Sequence, residues 1–210
     1  WNDYLSYAQV KNNTVISGKI YLRFYSTTGN VGEISDNTLT AKKSTGTAIE
    51  VYANASQGAL TVTISDNKIL GYTHRDSTFQ RGIEFSGSKG SNITAVITGN
   101  TIDKVRYNGI QVYTASAGIK IRSNNINRAG MQNFQSSSDS YSGIYVSPEN
   151  SGSLELVSNV IDSSGSWGMY LNQTVGRVDS NTVTNNGYGG IRLSGSFNYP
   201  AVDTIRYNTI

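Results

Sequence analysis

The feature that most constrains this chain is one asparagine that keeps returning in the same setting. Eight times the sequence reads aliphatic-x-x-Asn-x-aliphatic, at Asn13, Asn37, Asn67, Asn100, Asn124, Asn159, Asn181 and Asn208. The asparagine-to-asparagine steps are 24, 30, 33, 24, 35, 22 and 27 residues. A fixed motif at an elastic spacing is the mark of a solenoid whose turns carry loops of variable length. The paired aliphatics, such as Ile64 and Ile69, lie five residues apart, so unbroken strand alternation would send them to opposite faces. They reach one core only if the chain bends between them. Asn is the non-glycine residue that most readily takes the left-handed conformation of such a bend, so the asparagine itself is expected to turn the corner. Stacked turn on turn, its side-chain amides can also hydrogen-bond along the pile.

A second repeat interlocks with the first. Gly82-Ile83-Glu84-Phe85, Gly109-Ile110-Gln111-Val112, Gly143-Ile144-Tyr145-Val146, Gly168-Met169-Tyr170-Leu171 and Gly190-Ile191-Arg192-Leu193 share the form Gly-aliphatic-x-apolar. Ile20-Tyr21-Leu22 and Ile49-Glu50-Val51 fit it without the glycine. Each copy lies between two consecutive asparagines. The alternation is that of a half-buried strand, with Ile83 and Phe85 inward and Glu84 outward. The glycine supplies a corner where a side chain would crowd or where φ is positive. Every turn thus has three short strands: one ending before the asparagine, one starting after it, and the glycine-led one.

On these residues the chain, from about Val10 to Ile210, resembles the right-handed parallel β-helices of pectate lyases and of proteins with short parallel β-helix repeats. The fold class that follows is all-β: a right-handed, single-stranded parallel β-helix of about eight coils with an asparagine ladder, forming a single domain over residues 1–210. The resemblance implies an extracellular or cell-surface setting and a carbohydrate partner. It does not choose an activity, because that fold hosts lyases, hydrolases, epimerases, phage tailspikes and adhesins.

Composition narrows the classes. With 22 Gly, 2 Pro, 14 Tyr and only 15% charged residues, the chain reads as a polar, turn-rich secreted β protein. The absence of cysteine excludes a disulfide framework. A net charge of +3 without a basic run excludes a nucleic-acid binder, and no stretch approaches the roughly 18 apolar residues of a membrane span. The sequence stops at Ile210, inside a repeat, and so reads as a fragment of a longer protein. Its open ends would continue into further coils or associate with another copy.

Residues 71–81 and 127–142 are excursions just upstream of glycine-led strands, two coils apart, and are placed to wall a groove along that face. Outward residues of those strands stack as Tyr21, Glu50, Glu84, Gln111, Tyr145, Tyr170 and Arg192, with Tyr52 and Tyr113 in the next column. Tyrosines mixed with amides and an arginine suit sugar: rings offer flat apolar faces and polar groups meet hydroxyls. Tyr52, Gln111, Tyr113, Tyr145, Tyr170 and Arg192 are therefore the candidate substrate-binding residues. The bland alternative is that exposed strands simply favour tyrosine.

Glu50 and Glu84 fall on adjacent rungs, about 4.8 Å apart at the backbone, where like charges favour a shared proton or a bound cation. Paired carboxylates also serve glycoside chemistry. A lyase or epimerase needs a base and a cation to hold the uronate carboxylate; His74 or Tyr52 as base and Arg75 as clamp would meet that need. Glu50, Glu84, His74 and Arg75 are the candidate catalytic residues. Asp36 and Asp66, each before a ladder asparagine, are a candidate calcium perch. Neither the aspartate clusters of pectate lyases nor the Asp-Pro-His segment of alginate epimerases occurs in the chain. Two readings follow: a scaffold or adhesive segment that contacts glycan, which is preferred, and a polysaccharide lyase, hydrolase or epimerase.

Overall fold

A computed structural model of the chain describes residues 7–26, 30–55, 59–72, 78–87, 92–113, 117–131, 135–147, 153–172, 175–194 and 204–210. The strands form three wholly parallel sheets. The sheet before the asparagines has eight strands: Tyr7–Lys11, Asn30–Ser35, Ala59–Ser65, Asn92–Thr98, Ala117–Arg122, Ser153–Val157, Val175–Asp179 and Thr204–Arg206. The sheet after them has seven three-residue strands, from Thr14–Ile16 to Thr182–Thr184. The glycine-led sheet has seven: Ile20–Ser26, Ile49–Ala55, Ile83–Gly87, Ile110–Tyr113, Ile144–Val146, Trp167–Asn172 and Gly189–Ser194. In every sheet each strand pairs with its counterpart one coil away, which is a parallel β-helix, right-handed as parallel crossovers are. Coils are numbered here one to eight by their ladder asparagines. Among the described residues no helix is long and apolar enough to cross a membrane.

The ladder follows one scheme. Asn67 Nδ2 donates to the Ser65 carbonyl at 2.9 Å, to the Ile34 carbonyl of the preceding coil at 2.9 Å and to Asn100 Oδ1 of the next at 3.0 Å. Its backbone N–H donates to the same Asn100 Oδ1 at 3.0 Å. The step from one asparagine to the next repeats from Asn13 to Asn208. Each amide thus satisfies carbonyls that the corner would leave buried and unpaired.

The asparagine does not itself take the left-handed conformation. That falls on the residue before it: Asn12, Asp36, Asp66, Gly99, Ser123, Ser158, Ser180 and Tyr207 all have φ between 53° and 67°. The reason is geometric. To bond the carbonyl two residues back, the amide must point into the corner, so the bend sits on the residue between them.

The leading glycines answer crowding, not positive φ, since none of the five is in the left-handed region. A Cβ on Gly109 would lie 2.6 Å from Ile126 Cγ2 and 2.7 Å from the Gly143 carbonyl oxygen. Gly82, Gly143, Gly168 and Gly190 meet Ile102, Ile161, Val183 and Ile210 in the same way. The branched residue after each asparagine therefore fills the space of the preceding coil's missing side chain. Inside runs one continuous core: in coil three, Leu60, Val62, Ile64, Ile69, Ile83 and Phe85 are all buried. Each such side chain contributes about 1.5–3 kcal/mol by leaving water.

Candidate functional site

The glycine-led strands hold their outward residues in the expected register. Tyr21 pairs with Glu50, Glu50 with Glu84, Glu84 with Gln111, Gln111 with Tyr145, Tyr145 with Tyr170 and Tyr170 with Arg192. Tyr52 and Tyr113 both pair with Ser86 in the next column. The face divides in two along its length.

In coils two to four it is ionic. Glu50 and Glu84 sit on neighbouring rungs, yet each carboxylate has its own cation: Lys19 Nζ is 2.8 Å from Glu50, and Arg81 Nη1 is 3.5 Å from Glu84. The Thr47 hydroxyl also donates to Glu84 at 3.0 Å. Gln111 is buried, and its Oε1 accepts from Arg81 Nε at 3.0 Å and Asn108 Nδ2 at 2.7 Å. Its amide group is thus taken up in positioning Arg81. Tyr52 lies under the Arg23 guanidinium, 5.3 Å from the ring centroid.

Both excursions reach this face. The first delivers Arg81, anchored by Thr78 and Phe79, which are buried. The second ends in a short 3-10 turn, Asp139–Tyr141, capped by the Ser138 hydroxyl. Its Tyr141 ring packs 5.8 Å from Tyr107, and Arg81 lies 5.6 Å above the same Tyr107 ring. The Ser142 N–H donates to Asn108 Oδ1 at 2.8 Å. His74 and Arg75 fall in residues 73–77, outside the described residues.

In coils four to seven the face is aromatic. Tyr113 meets Tyr145 edge-on with centroids 5.5 Å apart, and Tyr145 stacks on Tyr170 at 5.5 Å and 8°. Tyr145 is 6% exposed, so its ring faces are taken up by its neighbours. Arg192 then lies over two rings at once, 4.9 Å from Tyr170 and 5.4 Å from Trp167. Trp167 meets Tyr188 edge-on at 5.0 Å. Among the described residues Arg192 forms no ion pair.

The phenols here are donors. Burial first, then the Tyr145 ring and the Asp139 and Glu84 carboxylates, push Tyr113 up to about 12 against the opposing pull of Arg81. Burial also raises Tyr145, with Asp139 adding to it. At neutral pH both keep their protons and neither serves as a base; Tyr113, 41% exposed, is the one placed to donate to a sugar oxygen, since Tyr145 is buried against Asp139.

Asp36 and Asp66 stand on adjacent rungs of the ladder corner, both exposed and both left-handed. The Asp66 carboxylate lies over Gly99, the next residue of that column. Among the described residues no group of three or more His, Cys, Asp or Glu is placed to hold a metal ion.

Sequence reasoning missed Trp167 and Tyr188. Counting by alternation, Trp167 shares the parity of the inward Met169; in the structure it is only half-buried, and its ring lies over Gly189, where a side chain would strike it. No protein-family model, curated protein sequence or solved structure matches the chain.

Proposed function

We propose that the chain is a β-helical scaffold segment of a secreted or cell-surface protein that contacts glycan along coils four to seven of the glycine-led sheet. The observation that carries this reading is Arg192, whose guanidinium lies over both the Tyr170 and Trp167 rings with no carboxylate partner among the described residues. A guanidinium fixed by rings keeps its N–H edge for a ligand oxygen, and its rotamer entropy is already spent. Tyr188, edge-on to Trp167, and Tyr113, three coils along the same face, are 55% and 41% exposed and offer apolar ring surface and hydroxyl groups. That combination suits a sugar ring, which has both apolar faces and a rim of hydroxyls. Kinship with pectate-lyase-like proteins belongs to this proposal as well, resting on the coil architecture and the ladder.

A catalytic reading has one observation in its favour: both excursions bring residues to the Glu84–Gln111–Tyr145 rungs. Against it, Glu50 and Glu84 are neutralised separately and the nearby phenols hold their protons. A glycan array with the 210-residue chain, run beside a polysaccharide turnover screen, separates the two. Retention that falls roughly tenfold in Tyr170→Ala and in Arg192→Ala supports the contact face. Release of unsaturated or reducing ends, abolished by Glu84→Gln, would replace it with the enzyme.

A further inference from the structure

The outer face of the eight-stranded sheet carries a second candidate site, unrelated to the rings. Among the described residues its first four coils hold one ion pair, Lys11 with Glu33 at 2.6 Å. The last four hold Lys120 and Arg122 on coil five, Glu155 on coil six, Arg177 and Asp179 on coil seven, and Arg206 on coil eight. These fall in two in-register columns: Lys120, Glu155 and Arg177 in one, Arg122, Asp179 and Arg206 in the other. Four cations against two carboxylates leave +2 on this half-face, of +3 for the whole chain.

The arrangement puts the negative charge underneath. Asp179 has a side chain only 3% exposed, lying beneath Arg177 at 2.6 Å and Arg206 at 3.1 Å. Burial pushes its carboxyl up, but the Ser180 hydroxyl and the two guanidiniums together hold it below the usual aspartate value. Glu155 is likewise taken by Arg122, with Arg177 at 4.0 Å. The arginines themselves remain 42%, 46% and 50% exposed. The buried Asp179 and the half-buried Glu155 thus hold three guanidiniums in place at the surface. Lys120 forms no ion pair among the described residues. It borders a depression of about 360 Å³ floored by Leu154 and Gly176 and rimmed by Ser153, Glu155, Arg177 and Thr204.

We infer that this half-face is a docking track for a sulfated polysaccharide. The cations run over three rung steps, about 14 Å, which is longer than one small anion and calls for a chain of them. Duplex DNA carries one charge per ~1.7 Å and would present about eight over that length, twice the cations available. A polysaccharide with its acids one or two sugars apart presents a sparser row. Sulfate esters stay ionised at every physiological pH and meet a guanidinium through two oxygens at once. The depression beside Lys120 leaves room for the ester to sit between Lys120 and Arg177.

The test is biolayer binding of the 210-residue chain to dextran sulfate, with unmodified dextran as the reference surface and a DNA duplex as competitor. The expected result is retention on dextran sulfate above dextran that falls as salt rises. Lys120→Glu should weaken it roughly tenfold and Lys120→Gln about threefold, while Lys68→Glu, on another sheet, leaves it unchanged. Because dextran reports the ring face by itself, its failure there leaves this result standing, and the converse holds too. Retention on dextran sulfate no greater than on dextran would overturn the inference. So would equal losses in Lys120→Glu and Lys68→Glu, or displacement by DNA at lower concentration than by free dextran sulfate.

Discussion

Replacing Asn124 tests whether the ladder carries stability or merely accompanies the fold. Its Nδ2 donates to the Ile97 carbonyl at 2.9 Å, the Arg122 carbonyl at 3.0 Å and Asn159 Oδ1 at 3.0 Å. Its Oδ1 accepts from Asn100 N and Asn100 Nδ2, both at 3.0 Å. Two amide protons and one oxygen sustain about three or four net bonds, each worth about 1 kcal/mol. Asn124→Ala also strips the buried Asn100 N–H of its acceptor, a further ~1–3 kcal/mol. The expected loss is therefore roughly 4–7 kcal/mol, against about 0.5 kcal/mol or less for Asn125→Ala on the exposed face next door. Asn124→Asp sharpens the argument, because it keeps the volume and the acceptor but turns both donors into a carboxylate oxygen facing carbonyls. At neutral pH it should be at least as damaging as alanine, with the deficit shrinking in acid as the carboxyl takes up a proton. Urea unfolding followed by circular dichroism gives the global cost, and hydrogen exchange at the Asn100 amide gives the local one. Equal stabilities of Asn124→Ala and Asn125→Ala would refute the reasoning.

Two other outcomes follow from the packing and the charges. Gly109→Ala should cost about 1–3 kcal/mol, because its Cβ meets the Gly143 carbonyl as well as Ile126; Gly46→Ala, with open space around it, should be near neutral in the same thermal melt. Tyr113 should titrate at about 12 by tyrosine-ring NMR, above ordinary phenols. Since its folded value is raised, the unfolded chain loses the proton first. Its contribution to stability is then complete below pH ~10 and lost as pH rises toward 12, and Tyr113→Phe should flatten that alkaline limb.

Which parts of this were legible in sequence follows from what each signal encodes. The ladder and the three sheets were readable because Asn67 and its counterparts recur with fixed neighbours whatever the loop length between them. The location of the bend was not, because Asp36, Gly99, Ser123 and Tyr207 share no side-chain chemistry. The corner selects a backbone angle there and tolerates several residues that can adopt it. Strand alternation correctly turned Glu84, Gln111 and Tyr145 away from the core. It carried no information on what lies above them, so the burial of Gln111 and Tyr145 had to come from the structure.

That difference decides where a ligand can be met. An outward residue of a β-helix is free only if no excursion from its own or a neighbouring coil lies across it. The excursions of coils three and five bring Arg81, Asp139 and Tyr141 to the middle of the glycine-led face, and there the polar groups satisfy one another. Arg81 is divided between Glu84 and Gln111, and Tyr145 is packed between Tyr113 and Tyr170. Coils six and seven have ladder steps of 22 and 27, and there Arg192 lies over the rings of Tyr170 and Trp167, with Tyr188 edge-on to Trp167 and no ion pair to Arg192 among the described residues. On the glycine-led face Arg192, unlike Lys19 and Arg81, thus keeps its charge for a ligand, because no carboxylate among the described residues is brought to it.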